Sequence, residues 1–289
     1  MFRIIDGSSV AKDIRASIRQ EILSLGKKRK PHLAVILVGD DGPSKIYVQN
    51  KGKACEDVGI HSETIHKPGD TSEADLLTLI DRLNEDPGVD GILVQLPLPK
   101  HMDTFKVTSR INPNKDVDGL TPINQGLLVM NKAIHVPCTP KGIIKLLESI
   151  EFPFEGALAA VIGRSQLVGA PVAKLLTHKN ATVINIHSRT KEAWKLTRQA
   201  DLVIAAIGKA KMIDESWIKE GAVVIDVGIH RIEGKMCGDV DFDSAKSKAS
   251  WMTPVPGGVG PMTIACLLVN CLDAYKRSFF EYPSAVDVP

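Results

Sequence analysis

VIGRSQLVGAPVAKLL (Val161–Leu176) reads as a strand, a turn and a helix. Gly163 ends the strand and Gly169 opens the helix. In a parallel α/β unit, the pyrophosphate of a dinucleotide sits there, against the N–H groups at the helix N-terminus. The usual GxGxxG is replaced by GRSxxVGxP, with Ser165 at the second glycine position. Many strand–helix turns need glycine for backbone reasons alone, so this turn by itself leaves both readings open.

The same alternation continues around it. Ala157–Gly163, Ala181–His187, Leu202–Gly208 and Ala222–Gly228 are four apolar runs with helical segments between them, the pattern of strands in a central parallel sheet. His230–Gly238 reads as a hairpin with Glu-Gly at its tip. NAD-specific units place an acid at the end of the second strand to hold the ribose 2′-OH. Here that strand ends in IHSRT (Ile186–Thr190), without an acid. Ser188 can donate to a 2′-phosphate, and Arg189 or Arg164 can neutralise it, which favours NADP. The competing reading is two ordinary surface arginines.

Towards the N-terminus, His32–Gly39 and Gly91–Pro99 are further strand candidates. Between them lie a lysine-bearing helix and a second helical pattern, Ser72–Asp86, with Ser72 as N-cap. A turn-rich loop, Ile111–Pro122, follows. The expected class is α/β with two domains. Residues 1–137 form one, with the C-terminal helix 261–289 packing back on it, and 138–260 form a Rossmann-type domain with a parallel sheet. That helix is expected to begin just after Pro261.

The lysine helix contains YVQNKGKACEDV (Tyr47–Val58). On a helical wheel Tyr47, Val48, Ala54, Cys55 and Val58 share an arc of roughly 120°. Lys45 and Lys53 fall on the polar side, while Lys51 falls inside the apolar arc beside Ser44 and Tyr47. Lysine is almost never buried without a partner, so Lys51 either snorkels outward or lines a cavity. Gln95 interrupts the apolar run LVQLPLP, and a buried amide must find partners. It stands at the C-terminal end of a parallel strand, where ligands bind, so Tyr47, Lys51 and Gln95 can meet. Asp116 and Asp118 in NPNKDVDG suit Asx-turns, and a carboxylate there can also hold a substrate bearing N–H donors. An EF-hand loop is rejected, because its twelfth position would be Gln125. PVPGGVGPMT (Pro254–Thr263) suits either a cleft wall approached closely by a ligand or a rigid hinge.

Other classes of protein fit poorly. The chain has 289 residues and a net charge of +2, too little charge for a nucleic-acid or anionic-membrane partner. No apolar run is long enough to span a bilayer, and the N-terminus lacks the apolar stretch of a secretory signal. The five cysteines are odd in number and lack CxxC spacing, which points to reduced thiols in the cytoplasm and to no metal.

Taken together these motifs carry a resemblance. VGDDGPSKIYVQNKGKACEDVGI (Val38–Ile60), GILVQLPLP, NPNKDVDGL, PCTPKG (Pro137–Gly142), GRSQLVGAP, HSRT, DVGIHR (Asp226–Arg231) and TPVPGGVGPMT resemble the bifunctional methylenetetrahydrofolate dehydrogenase/cyclohydrolase family over nearly the whole chain. One departure is His230, where the family more often has Asn. The resemblance implies oxidation of 5,10-methylenetetrahydrofolate with NADP⁺ and hydrolysis of the methenyl product to 10-formyltetrahydrofolate. It implies catalytic roles for Lys51, Tyr47, Gln95 and Asp118. Tyr47 stacks on the aminobenzoyl ring, Gln95 bonds Lys51, and Asp118 anchors the pterin. Ser44, Val94 and Leu96 join them at the substrate, as do Pro256, Gly257, Gly258 and Gly260. Gly163, Arg164, Ser165, Ser188, Arg189 and the backbone at Ile229 are implied to hold NADP. A homodimer is implied as well. An alternative of another class is a two-domain NADP dehydrogenase of shikimate or amino-acid type, which would need no inward Tyr–Lys pair. A non-catalytic NADP-binding regulator is the other, and it would tolerate loss of Lys51.

Overall fold

The computed structural model describes residues 2–26 and 29–279. In chain order the elements are β1 (Arg3–Ile4), α1 (Gly7–Ser24), β2 (His32–Val38), α2 (Gly42–Val58), β3 (His61–Lys67), α3 (Glu73–Glu85) and β4 (Gly91–Val94). Three helices follow, α4 (Thr104–Ser109), α5 (Pro122–Val129) and α6 (Cys138–Ser149). The alternation then resumes with β5 (Leu158–Ile162), α7 (Gly169–His178), β6 (Thr182–Ile186), α8 (Ala193–Thr197), β7 (Leu202–Ala205) and β8 (Val223–Asp226). The chain closes with β9 (His230–Ile232), β10 (Lys235–Cys237), α9 (Phe242–Ala245), β11 (Trp251–Met252) and α10 (Val259–Phe279).

The described chain divides into two compact units. One holds residues 13–138 and the chain from 264 onward; the other holds 139–263 together with the N-terminal residues up to Lys12. Compact packing thus groups the N-terminal dozen with the second unit, whereas the sequence reading placed it with the first. The reason is β1, which pairs in parallel with β11. Two paired residues are too short a run to announce a strand.

The first unit is built on a three-stranded parallel sheet in the order β3-β2-β4. The central β2 is buried from Leu33 onward, whereas β3 is an exposed outer strand whose polar sequence HSETIHK hides it from a search for apolar runs. One face packs against α2 and α10 through Leu33, Val35, Leu37, Val48, Cys55, Leu268 and Leu272. The other packs against α3 through Ala34, Ile36, Leu76 and Ile80. Ser72 caps α3 by accepting from the Asp75 N–H. The strand expected over Gly91–Pro99 ends at Val94, since the prolines beyond cannot donate to a ladder.

The second unit carries a six-stranded parallel sheet in the order β1-β11-β8-β7-β5-β6. The four expected strands all join this sheet; β5, β7 and β8 are buried almost throughout, whereas β6 lies at one edge and is half exposed. Its Asn185 marks the difference. The hairpin β9–β10 turns at Glu233 and Gly234, both with positive φ. α10 starts at Val259, two residues before Pro261, which still lies in the first turn, where its missing N–H costs nothing.

Candidate active site

The first unit assembles a lysine, an amide and a carboxylate. Asp41 begins α2 by accepting from the Ser44 N–H, with Pro43 pre-set in the first turn. The Ser44 hydroxyl also donates to Asp41, at 2.6 Å, so towards a ligand Ser44 can only accept. One and two turns on, the same face presents Tyr47, half-buried, and Lys51, only 7% exposed. Snorkelling is thereby excluded: the Lys51 Nζ points inward and donates to Gln95 Oε1 at 3.0 Å. Lys45 pairs with Asp40 at the surface and Lys53 is exposed, as ordinary helix lysines are.

Gln95 follows β4 directly. Its N–H still donates to Ile36 O, and its Nε2 donates to Leu96 O at 2.7 Å. That second bond orients the amide, because only Oε1 is then left to face the ammonium. Val94 is buried at the strand end and Leu96 is half-buried.

The two aspartates of NPNKDVDG part company. Asp116 is buried and accepts from the N–H groups of Leu120 and Thr121 and from Asn124 Nδ2, so it shapes the loop. Asp118 instead meets the Cys138 thiol. Desolvation pushes its carboxyl above the usual range, with the Lys51 charge opposing the shift and Asp116 adding to it. Its position is set from behind. Asn270 of α10 donates to Val117 O at 2.8 Å and to Val136 O at 2.9 Å, and the Cys138 thiol donates to Val117 O. The sequence reading missed Asn270, although an amide inside the apolar stretch IACLLVNCL is the same signal that singled out Gln95. Burial holds the Cys55 thiol near 12 and those of Cys138 and Cys271 well above the ordinary value, which argues against a thiolate nucleophile.

In the second unit the expected dinucleotide residues lie at the C-terminal ends of β5, β6 and β8. Gly163 has φ +125°, and a Cβ there would collide with the Ala206 carbonyl. A Cβ on Gly169 would collide with the Gly163 backbone. Both glycines are thus required by close approach of strand, turn and helix. The N-cap of α7 is Val168, which makes no side-chain cap; the Ala170 N–H turns back to Ser165 O at 3.0 Å and Pro171 has no N–H, so the first turn of α7 offers a ligand few peptide donors. Ser165 Oγ accepts from the Val168 N–H and keeps its own proton to donate. Arg164, Ser165, Ser188 and Arg189 are all exposed, on the turns after the neighbouring strands β5 and β6. These residues fit a phosphorylated dinucleotide through two hydroxyls and two guanidiniums beside a helix N-terminus. Ile229, just past β8, is also exposed.

Pro256–Gly260 belong to this unit too. Gly257 has φ +102°, and its carbonyl accepts from the Ser8 N–H at 3.0 Å. A Cβ on Gly258 would meet Pro254 O and Thr253 Cβ, while one on Gly260 would lie 3.9 Å from Ile229 Cδ1. Lys51, Gln95 and Asp118 are thus gathered in one unit, and the glycine segment and the dinucleotide residues in the other. Among the described residues no group of His, Cys, Asp or Glu has the arrangement of a metal site, and no helix is long and apolar enough to cross a membrane.

Comparison with known proteins agrees with this geometry. Residues 5–118 match the model of the tetrahydrofolate dehydrogenase/cyclohydrolase catalytic domain. Residues 137–279 match that of the NAD(P)-binding domain of the same family. The chain is 53% identical over 279 residues to the bifunctional protein FolD of Geotalea uraniireducens, covering 96% of this chain and 100% of that one. The crystal structure of the bifunctional FolD methylenetetrahydrofolate dehydrogenase/cyclohydrolase from Campylobacter jejuni superposes with a TM-score of 0.94 at 45% identity, covering 96% and 100% of the two chains. The Trypanosoma brucei methylenetetrahydrofolate dehydrogenase-cyclohydrolase, solved with NADP cofactor and inhibitor, gives 0.92 at 38% identity, covering 96% and 98%. The chain therefore belongs to the tetrahydrofolate dehydrogenase/cyclohydrolase family.

Proposed function

We infer that the protein oxidises 5,10-methylenetetrahydrofolate to the methenyl cation with NADP⁺, and then hydrolyses that cation to 10-formyltetrahydrofolate. The bound NADP⁺ supplies the hydride acceptor for the first step. The observation that carries the reading is the inward Lys51, bonded to Gln95 and sharing its unit with Asp118. The match of residues 5–118 to this family's catalytic domain favours the reading over a shikimate- or amino-acid-type dehydrogenase and over a non-catalytic regulator.

In the second step water adds to the methenyl carbon and must lose a proton. The Lys51 amine takes it as general base, held in line by Gln95 Oε1. The carbon–N5 bond then breaks, N5 takes up a proton, and the formyl group stays on N10. A cationic substrate carbon beside Lys51 favours the uncharged amine, because like charges oppose each other. Asp118 accepts from the N–H donors of the pterin, Tyr47 stacks on the aminobenzoyl ring, and Ser44, Val94 and Leu96 complete the substrate contacts on this unit. Pro256, Gly257, Gly258 and Gly260 offer backbone to the folate. Gly163, Arg164, Ser165, Ser188, Arg189 and Ile229 hold NADP, with the arginines and Ser188 at the 2′-phosphate.

Two further features belong to this reading. A homodimer is supported by β3, an exposed outer strand whose free edge can pair with a second copy; sedimentation giving only the monomer mass would remove it. A cytoplasmic location is supported by five cysteines that are all free thiols.

The deciding experiment follows the absorbance of wild type and Lys51→Met given methylenetetrahydrofolate with NADP⁺ and then with NAD⁺, using acid quenching to separate the methenyl product from reduced cofactor. Accumulation of methenyl product in the variant is the expected result. No oxidation of the folate by wild type with either cofactor would overturn the reading.

A further inference from the structure

Asp239, which follows β10, is fully buried, and four N–H groups converge on its carboxylate. Oδ2 accepts from the peptide N–H groups of Ile207 at 2.7 Å and Gly208 at 3.0 Å. Oδ1 accepts from the Lys209 N–H at 2.9 Å and from His230 Nε2 at 2.8 Å. A carboxylate has no proton to give, so Nε2 carries the ring proton here. Asp239 is itself held by Asp226, whose Oδ1 accepts from the N–H groups of Asp239 and Gly228. The packing is tight enough that a Cβ on Gly228 would collide with Asp239, and one on Gly238 with Asp226.

Three consecutive peptide N–H groups on one carboxylate fix the turn 207–209 after β7. β7 and β8 are parallel neighbours, so this turn and the segment Ile229–His230 leave the sheet at the same edge. Ligands of open α/β sheets bind outside that carboxyl edge. His230 is the side chain through which the segment after β8 grips the carboxylate that organises the turn after β7.

We propose that His230 is a positioning residue for NADP. Through Asp239 it holds the turn 207–209 and the backbone at Ile229 in place against the dinucleotide, without touching the reacting atoms. The proposal rests on the placement of the dinucleotide at this edge of the sheet.

The test uses the full chain as wild type, His230→Ala and His230→Gln, since glutamine can put an N–H donor where Nε2 stands. NADPH affinity is measured by fluorescence without folate, alongside the KM for NADP⁺, kcat, hydrolysis of supplied methenyltetrahydrofolate and the thermal midpoint. Losing one hydrogen bond to a buried charge should weaken NADPH binding and raise the KM for NADP⁺ by about 5- to 20-fold in His230→Ala. Saturated kcat and the hydrolysis, which consumes no dinucleotide, should stay within about twofold, and His230→Gln should recover most of the affinity. NADPH binding like wild type in His230→Ala would overturn the proposal. So would a parallel fall in hydrolysis, kcat and thermal midpoint that glutamine fails to rescue, because that is a general brace. Wild type that hydrolyses the methenyl compound yet binds no NADPH would instead overturn the placement of the dinucleotide, and the proposal with it.

Discussion

Gln95 presents its carbonyl oxygen, and not its amide nitrogen, to Lys51. The Lys51 Nζ donates to Oε1 at 3.0 Å while Nε2 is committed to Leu96 O at 2.7 Å. The pair comes from two separate elements, α2 and the end of β4, and each residue answers for the other's burial.

Replacing Lys51 by Met should lower the hydrolytic rate by about two orders of magnitude or more, the usual contribution of a positioned general base. Gln95→Glu should act differently. An anion in place of the amide favours the charged amine over the basic one. The hydrolytic rate should fall while folate binding persists. An unchanged hydrolytic rate in a folded Gln95→Glu protein would remove the base assignment.

Asn270→Leu should loosen the peptide that precedes Asp118. Val136 O and Val117 O would lose a buried donor each. The stability cost should be on the order of 2–4 kcal/mol in urea denaturation, and the KM for methylenetetrahydrofolate should rise. The counterpart Asp118→Asn should raise the same KM with little loss of stability, because Asp118, unlike Asp116, shapes no loop.

Gly163→Ala should abolish NADPH binding and destabilise the second unit. Its φ of +125° lies outside the range of L-residues, and the added carbon would run into the Ala206 carbonyl. Calorimetry should show a lower midpoint, and fluorescence no cofactor transfer band. Gly156→Ala has open space around its Cβ but shares a positive φ, so it should cost only about 1 kcal/mol and leave cofactor binding intact.

Asp226 should titrate late. Burial raises its carboxyl from 3.8 to about 6, against three peptide N–H donors that favour the anion. A native acid that holds its proton more tightly than the unfolded chain adds stability below 3.8 and loses that advantage as pH rises through about 6. Its contribution should therefore fall between these values and stay level above them, by on the order of 3 kcal/mol. Carboxyl-carbon NMR should show one aspartate titrating near 6, and the signal should vanish in Asp226→Asn. Titration of every aspartate near 4 would contradict this (the ordinary value for the side chain).

Buried strands were plain in the sequence because β2, β5, β7 and β8 are covered on both faces and read as unbroken apolar runs. Strands β1, β3 and β11 were not. β3 is polar because water faces it, and β1 and β11 are two residues each, stabilised by partners far along the chain. The placement of the N-terminal segment in the second unit followed from that pairing and had no local signal.

Legible in the residues alone were the period of each buried element, the glycine turn at Gly163–Gly169, and the anomaly of a lysine on an apolar helix face. These are local properties, set by one side chain against its near neighbours. That Lys51 turns inward to Gln95, that Asn270 braces the peptide before Asp118, and that His230 reaches Asp239 came only with the folded chain. Such choices depend on desolvation, which a side chain experiences only when distant segments close over it and leave its polar atoms to be satisfied by whatever donors and acceptors the fold has brought there.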